Sequence, residues 1–294
     1  MELQEERLIA EILGESHARI PFPRGPWPLE VAPLKSRLRR IWNAGDYDRL
    51  SHYMQIEAES FYRRLAVPPG ARLLDVACGS GQLALIAARN GANATGIDIA
   101  ENLVERARER ARVEGLNANF QEADAEGLPF DDGSFDVVAS LAGVMFAPRP
   151  AVAAEELLRV CRRGGMLALA NWTPQSFTAK LFRAISNFVA PSGMRDPLLW
   201  GDEQEVHNLF GSGVANLRLN RRNAVLSFPF PPSEVVRLFR LYHGPTNRAF
   251  ASLDRAGRLR LQIEMEELWS AYNVAQGGFT KVDAEWLELA ATRA

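Results

Sequence analysis

The stretch that most constrains this chain is Leu73-Leu74-Asp75-Val76-Ala77-Cys78-Gly79-Ser80-Gly81-Gln82-Leu83-Ala84. Arg72 to Ala77 carries a short apolar run, suited to a strand covered on both faces. Gly79 and Gly81 can take positive φ and let a ligand approach the backbone with no Cβ in the way. Leu83 to Arg89 then has helical spacing. A buried strand, a glycine turn and a helix in that order form a nucleotide-type binding corner, the signature of an α/β fold.

The identity of the ligand turns on one side chain. Gly79, Gly81 and Ala84 also satisfy G-x-G-x-x-[GA], the dinucleotide fingerprint. Asp75 argues against a dinucleotide, because a carboxylate near the end of the first strand would point toward a pyrophosphate and repel it. The same carboxylate suits a ligand that carries an ammonium and a sulfonium and no phosphate, which describes S-adenosylmethionine. Read as D-x-x-x-G-x-G, Asp75, Gly79 and Gly81 resemble the first motif of the class I methyltransferases. Ala77 lies within the same turn and is placed with them in the cofactor set.

Downstream the chain alternates strand and helix, which predicts a parallel sheet with right-handed crossovers. A second strand is expected over 93–98, a helix over 100–114, a third strand over 117–122, a fourth over 135–140, a helix over 150–162 and a fifth strand over 166–171. Asp98, followed by Ile99, comes about 20 residues after the glycine turn, where an acidic side chain can accept both ribose hydroxyls. At the end of strand three, Asp124 could accept from an adenine amine while the Ala125 amide donates to a ring nitrogen; Asp124 could equally cap a helix. The run Asp124 to Val138, Asp-Ala-Glu-Gly-Leu-Pro-Phe-Asp-Asp-Gly-Ser-Phe-Asp-Val-Val, closely resembles the same segment of methyltransferases in the ubiquinone/menaquinone-biosynthesis-like (methyltransferase type 11/25) group. Leu141 follows strand four at the carboxyl edge, where sheets of this class hold their ligands. On helix 100–114, Glu101, Glu105, Arg106 and Arg110 read as a solvated face without function.

The resemblance implies a Rossmann-like sheet of order 3-2-1-4-5-7-6 with the last strand antiparallel. It covers about residue 36 to the end, with Asn171-Trp172-Thr173-Pro174, Leu199-Trp200-Gly201 and Tyr242-His243-Gly244-Pro245-Thr246 similar to one bacterial methyltransferase subgroup. The organisation expected is an N-terminal arm over 1–35, N-terminal helices over 36–70, a cofactor-binding core over 71–173 and cap helices over 174–212. A strand-six region over 213–229, a helical insertion over 230–282 and a last strand over 283–294 complete it. Within the arm, 1–14 reads as an acidic amphipathic helix, and 20–33, with Pro21, Pro23, Pro26, Pro28 and Pro33, as an extended linker. Helices are expected at 34–44 and 46–66, broken at Gly45-Asp46, and later at 176–190, 202–210, 233–243, 246–254 and 257–274. Strand six is expected over 214–220, with 223–228 as a continuation, and the last strand over 285–291.

Composition narrows the partners. A net charge of −2 with no basic block gives no pointer to nucleic acid, and no apolar run reaches the length of a membrane span. Cys78 and Cys161 make neither a disulfide framework nor a zinc spacing, and the acidic start lacks a signal-peptide pattern, so a cytoplasmic monomer or homodimer without metal is the expectation. The resemblance implies in-line methyl transfer from S-adenosylmethionine, leaving S-adenosylhomocysteine, to a small and partly apolar or aromatic molecule. Trp42, Tyr47, Tyr53, Met145, Phe146, Trp172, Tyr242 and His243 are the candidates for the acceptor pocket; His52, His207, His243 and Tyr242 are the candidates for a base, with His243 the best of them. The competing readings are an NAD(P)-dependent oxidoreductase, from the overlapping glycine fingerprint, and a binding module that keeps the methyltransferase fold without turnover.

Overall fold

A computed structural model describes residues 31–189 and 194–294; the helix expected over 1–14 and most of the linker lie outside them. The first helix, α1, is Val31–Trp42. It starts before the expected boundary at 35 and takes in Pro33, which the first turn of a helix tolerates because an N–H there has no partner to lose. The helix expected over 46–66 is three pieces: α2 (Asp48–Ser51), a 3-10 turn (His52–Met54) and α3 (Gln55–Leu65). Ala66 ends α3 in the left-handed conformation, at φ 51°.

The core then alternates as the sequence predicts. Its elements are β1 (Arg72–Val76), α4 (Gln82–Arg89), β2 (Asn93–Asp98), α5 (Glu101–Glu114), β3 (Ala118–Glu122) and β4 (Phe135–Leu141). A 3-10 turn (Val144–Phe146), α6 (Pro150–Val160) and β5 (Cys161–Trp172) follow. Pro150 pre-sets the first turn of α6, and Gly115 closes α5 at φ 63°. Strand β5 begins five residues earlier than expected because Cys161 pairs with Phe135 ahead of a register shift.

The last third holds α7 (Phe177–Val189), α8 (Glu203–Phe210), β6 (Val214–Phe228), α9 (Pro232–Tyr242), α10 (Gly244–Ser252), α11 (Arg255–Tyr272) and β7 (Thr280–Arg293). Side-chain caps start two of these helices: Asp202 accepts from the Gln204 and Glu205 amides, and Asp254 from Gly257. The seven strands form one sheet in the order β3-β2-β1-β4-β5-β7-β6, with β7 antiparallel to both its neighbours. Strand β7 is twice the expected length and begins inside the stretch assigned to the helical insertion, because it pairs with β6 as far as Phe228↔Thr280.

The central strands are apolar and covered on both faces: Leu73, Leu74, Val138, Leu167 and Leu169 have no measurable exposure. Helices α7, α9, α10 and α11 pack on one another as a cap, with Trp269 fully buried among Phe177, Phe228 and Phe239. No helix among the described residues is long and apolar enough to cross a membrane.

Candidate functional site

The carboxyl ends of β1, β2, β3 and β4 open into a cavity of about 190 Å3, roofed by α1, α2 and the cap. Its floor is held together by carboxylates that bond backbone amides. Asp75 Oδ2 accepts from the Ala84 amide at 3.0 Å, one of the free N–H groups in the first turn of α4. Asp98 Oδ2 accepts from the Gly79 amide and Oδ1 from the Ala100 amide, both at 2.9 Å. These bonds pin the glycine turn to the end of β2. Each oxygen keeps a second lone pair for a ligand.

Burial controls the titration of these groups. Desolvation pushes the Asp75 carboxyl up to about 8, against the opposing pull of the Ala84 amide. Asp98 is raised for the same reason, although three backbone amides resist it. The Cys78 thiol between them is pushed well up by burial and by the two carboxylates.

The turn is tightly built. Gly81 holds φ +82°, and a Cβ there would lie 2.8 Å from Phe120 Cε1. Its role is therefore to let the turn pack on β3, and it does not line the cavity as the motif reading expected. Ala77 and Ala142 line the cavity at φ 55° and 52°, a sparsely populated region for residues with a Cβ. Between them Gly143 comes so close that a Cβ would sit 2.3 Å from the Ala77 carbonyl oxygen.

No helix follows β3, so Asp124 is not a helix cap. It closes a turn, Oδ1 accepting from the Glu126 amide at 2.9 Å, and its Oδ2 lies 2.5 Å from Lys35 Nζ of α1. Lys35 also pairs at 2.7 Å with Glu126, whose fully buried side chain holds Arg149 as well. Helix α1 is thus strapped over the end of β3.

Arg106 and Arg110 correct a second expectation, for they are not a solvated face. Arg110 donates to Asp48 Oδ1 at 3.1 Å, the Ser80 carbonyl at 3.0 Å and Gln82 Oε1 at 3.0 Å, while Arg106 lies 3.2 Å from Asp48 Oδ2. Together they fasten α2 to the glycine turn through a buried Asp48. Helical spacing alone could not show this, because the partner is about 60 residues away.

Of the residues expected at the cofactor, Asp75, Ala77, Gly79, Asp98, Ile99, Asp124, Ala125 and Leu141 line the cavity. Of those expected at the acceptor, Tyr47, Tyr53, Phe146, Trp172 and His243 line it, as does Trp42. Met145 does not, being 1% exposed in the core, and Tyr242 does not, ending α9 on the outer side with its carbonyl against Gly45. Phe228 was missed: it sits at the far end of β6, and only the sheet brings it to Tyr53, ring centroids 4.6 Å apart.

His243 is buried where α9 gives way to α10. Its Nδ1 is 2.7 Å from Thr246 Oγ1, and Trp42, Tyr47 and Phe239 surround the ring. Desolvation lowers its pKa to about 3, so it is neutral at physiological pH. Among the described residues no group of three or more His, Cys, Asp or Glu side chains is placed to hold a metal ion.

Comparison with known proteins agrees with this fold. A family model described as a methyltransferase domain matches residues 74–169, from β1 into β5. An uncharacterized protein of Mycobacterium tuberculosis is 38% identical over 244 residues, covering 80% of this chain and 87% of its own. A 2-methyl-6-phytyl-1,4-hydroquinone methyltransferase of Synechocystis sp. is 46% identical over 107 residues, 36% of this chain and 33% of that protein. Among solved structures, phosphoethanolamine N-methyltransferase 2 of Haemonchus contortus, in complex with S-adenosylhomocysteine, shares the fold with a TM-score of 0.53 at 16% identity, over 81% of this chain and 52% of that one. The chain belongs with the mycobacterial protein to the class I methyltransferases, its methyltransferase domain spanning residues 74–169.

Proposed function

We propose that this protein transfers the methyl group of S-adenosylmethionine to a small, partly apolar or aromatic molecule bound under the cap. One observation carries the reading of the ligand. Three aspartates, Asp75, Asp98 and Asp124, line the cavity, and no lysine or arginine among the described residues does. With no cation on this wall to meet a pyrophosphate, and with the buried Asp75 and Asp98 carboxyls able to ionise against a positive ligand, the cavity disfavours the first and favours the second; Asp124 is half-exposed and already paired with Lys35. The residues therefore fit S-adenosylmethionine and weigh against a nicotinamide dinucleotide.

In this reading Asp98 accepts from the ribose hydroxyls, Asp124 and the Ala125 amide meet the adenine edge, and Asp75 with the Gly79 turn faces the cationic end. Ile99 and Leu141 supply apolar walls. When bound, S-adenosylmethionine supplies a methyl group on a sulfonium, which an acceptor lone pair displaces in line, the C–S pair staying on sulfur as S-adenosylhomocysteine. The protein's share is alignment and dryness. Holding the reacting atoms in line is worth ~7–11 kcal/mol of barrier. The aromatic roof of Trp42, Tyr47, Phe146, Phe228 and Phe239 keeps water from the methyl group.

Among the described residues, His243 is the one imidazole that lines the cavity. With Nδ1 engaged by Thr246, Nε2 is left to accept from an acceptor hydroxyl. At a pKa of about 3 it orients the hydroxyl and takes its proton only as the oxygen commits its lone pair to carbon. The hydroquinone named for the Synechocystis relative is an aromatic acceptor of this kind.

The test is calorimetric titration of the purified protein with S-adenosylmethionine and with NADH, repeated for Asp98→Ala. Micromolar binding of the first alone, weakened at least tenfold by the substitution, is expected. NADH binding, or an affinity indifferent to Asp98, would overturn the assignment.

A further inference from the structure

Three rings on the cavity, Trp42, Tyr47 and His243, stand at the corners of a near-equilateral triangle. The centroids of Trp42 and His243 are 6.0 Å apart, and those of the other two pairs 6.3 Å. The planes are inclined by 86° between Trp42 and Tyr47, 78° between Trp42 and His243 and 49° between Tyr47 and His243. Planes inclined this steeply make a corner and not a stack, so a small group seated there meets ring faces from more than one side. Each ring comes from a different part of the roof: Trp42 ends α1, Tyr47 precedes α2 and His243 joins α9 to α10.

Backbone contacts fix the corner. A Cβ on Gly45 would lie 2.2 Å from the Tyr242 carbonyl oxygen, and one on Gly244 would lie 2.2 Å from the Ile41 carbonyl oxygen. The two segments that carry the rings therefore meet main chain to main chain, which only glycine permits. Asn102 of α5 holds the same loop, its amide donating to Asn43 Oδ1 at 3.1 Å and its Nδ2 to the Gly45 carbonyl at 2.9 Å. On its other side Tyr47 reaches the glycine turn, for a Cβ on Gly79 would sit 3.8 Å from Tyr47 Cδ1. Burial raises the Tyr47 phenol and lowers His243 to about 3, so both rings are neutral at physiological pH. Trp42 and Tyr47 thus present the negative faces of neutral aromatic rings, and His243 adds no charge to repel a cation.

We propose that this corner holds the cationic sulfur and methyl group of S-adenosylmethionine, the faces of Trp42 and Tyr47 attracting the positive charge, so that the site distinguishes the charged donor from its neutral product. This rests on the methyltransferase reading above and gives the rings an electrostatic task besides the exclusion of water. Tyr47 spans from the glycine turn, where that reading places the donor's amino-acid end, to His243, where it places the acceptor, and the transferred group lies between those two. Among the described residues no lysine or arginine lines the cavity to oppose a cation. In S-adenosylhomocysteine the sulfur is a neutral thioether, which gains nothing from the charge of a ring face.

The experiment is calorimetric titration of the full chain with S-adenosylmethionine and, separately, S-adenosylhomocysteine, for the wild type, Tyr47→Leu, Tyr47→Phe and Trp42→Leu. The two ligands differ by one methyl group and one charge, so the ratio of their dissociation constants removes losses of shape common to both. A desolvated contact between a cation and a ring face changes affinity by about five- to thirtyfold. Tyr47→Leu should therefore weaken S-adenosylmethionine by that factor more than S-adenosylhomocysteine, while Tyr47→Phe, which keeps a ring face, holds the wild-type ratio. If Tyr47→Leu loses both ligands through misfolding, Trp42→Leu reads the same ratio. A ratio unchanged in the leucine variants, or one shifted as far in Tyr47→Phe, overturns the ring corner and leaves the methyltransferase reading standing. Failure of both ligands to bind the wild type overturns both.

Discussion

Asp75→Asn isolates the electrostatic cost at the centre of the site. The amide keeps the shape of the carboxylate and can still accept from the Ala84 amide, but it cannot ionise. In the folded chain Asp75 titrates at about 8 against an ordinary 3.8, chiefly because burial strips the carboxylate of water. Between those values the folded protein keeps a proton that the unfolded chain has released. The protonated group's contribution to stability is complete below the unfolded value and disappears as pH rises through the folded one. Each pH unit in that window removes about 1.4 kcal/mol. From pH 5.5 to 7.5 the wild type should therefore lose about 3 kcal/mol that Asp75→Asn keeps. Urea unfolding of both proteins at the two pH values measures this directly, since the other titrating groups largely cancel in the difference. A difference that stays constant with pH would show that Asp75 ionises near its ordinary value, and the reasoning from burial would fail. The same proton bears on function. A cation favours the ionised carboxylate, so wild-type affinity for S-adenosylmethionine should rise toward pH 8 relative to that of Asp75→Asn.

Four further outcomes follow from named contacts. Ala66→Gly should stabilise the protein by ~0.5–1 kcal/mol in thermal or urea unfolding, because Ala66 is exposed at φ 51° and relief of left-handed strain exceeds the added chain entropy. Gly81→Ala should cost ~2–4 kcal/mol, since it adds a Cβ at φ +82° against Phe120 and Ala107; an unchanged unfolding midpoint would refute the packing role. Arg110→Met should cost ~1–2 kcal/mol by leaving the buried Asp48 with Arg106 alone, and limited proteolysis should open first around α2. Arg106→Met should do less, because that side chain is 40% exposed.

Legibility differed by the range of the interaction. The glycine turn, Asp98 and the end of strand three were readable because each is a local pattern: a turn that needs positive φ, a carboxylate at a strand end, a chain reversal. The sheet order came with the family resemblance, and the pairing of β5 with β7 agrees with it. Boundaries slipped where tertiary pairing outweighed local preference. Strand β7 runs to 14 residues because β6 pairs along nearly all of it, while the local pattern predicts a strand only over 285–291. Helix α1 starts ahead of Pro33 for the opposite reason, since a local rule permits what composition seemed to forbid.

By itself, the sequence determined the class of fold and which side chains stand at the strand ends. Spacing along the chain dictates which backbone groups face the cavity, and it puts Asp75 where a cation, by drawing the proton off its buried carboxyl, is favoured over a phosphate. The tertiary structure decided the rest. It placed Tyr53 against Phe228, brought Arg110 to Asp48, moved Met145 and Tyr242 off the cavity and set His243 beside Trp42 and Tyr47. Those outcomes depend on how helices far apart in the chain pack over the sheet. The direction of a side chain in such a cap is set by the neighbours that bury it, and those neighbours are chosen only when the whole core closes.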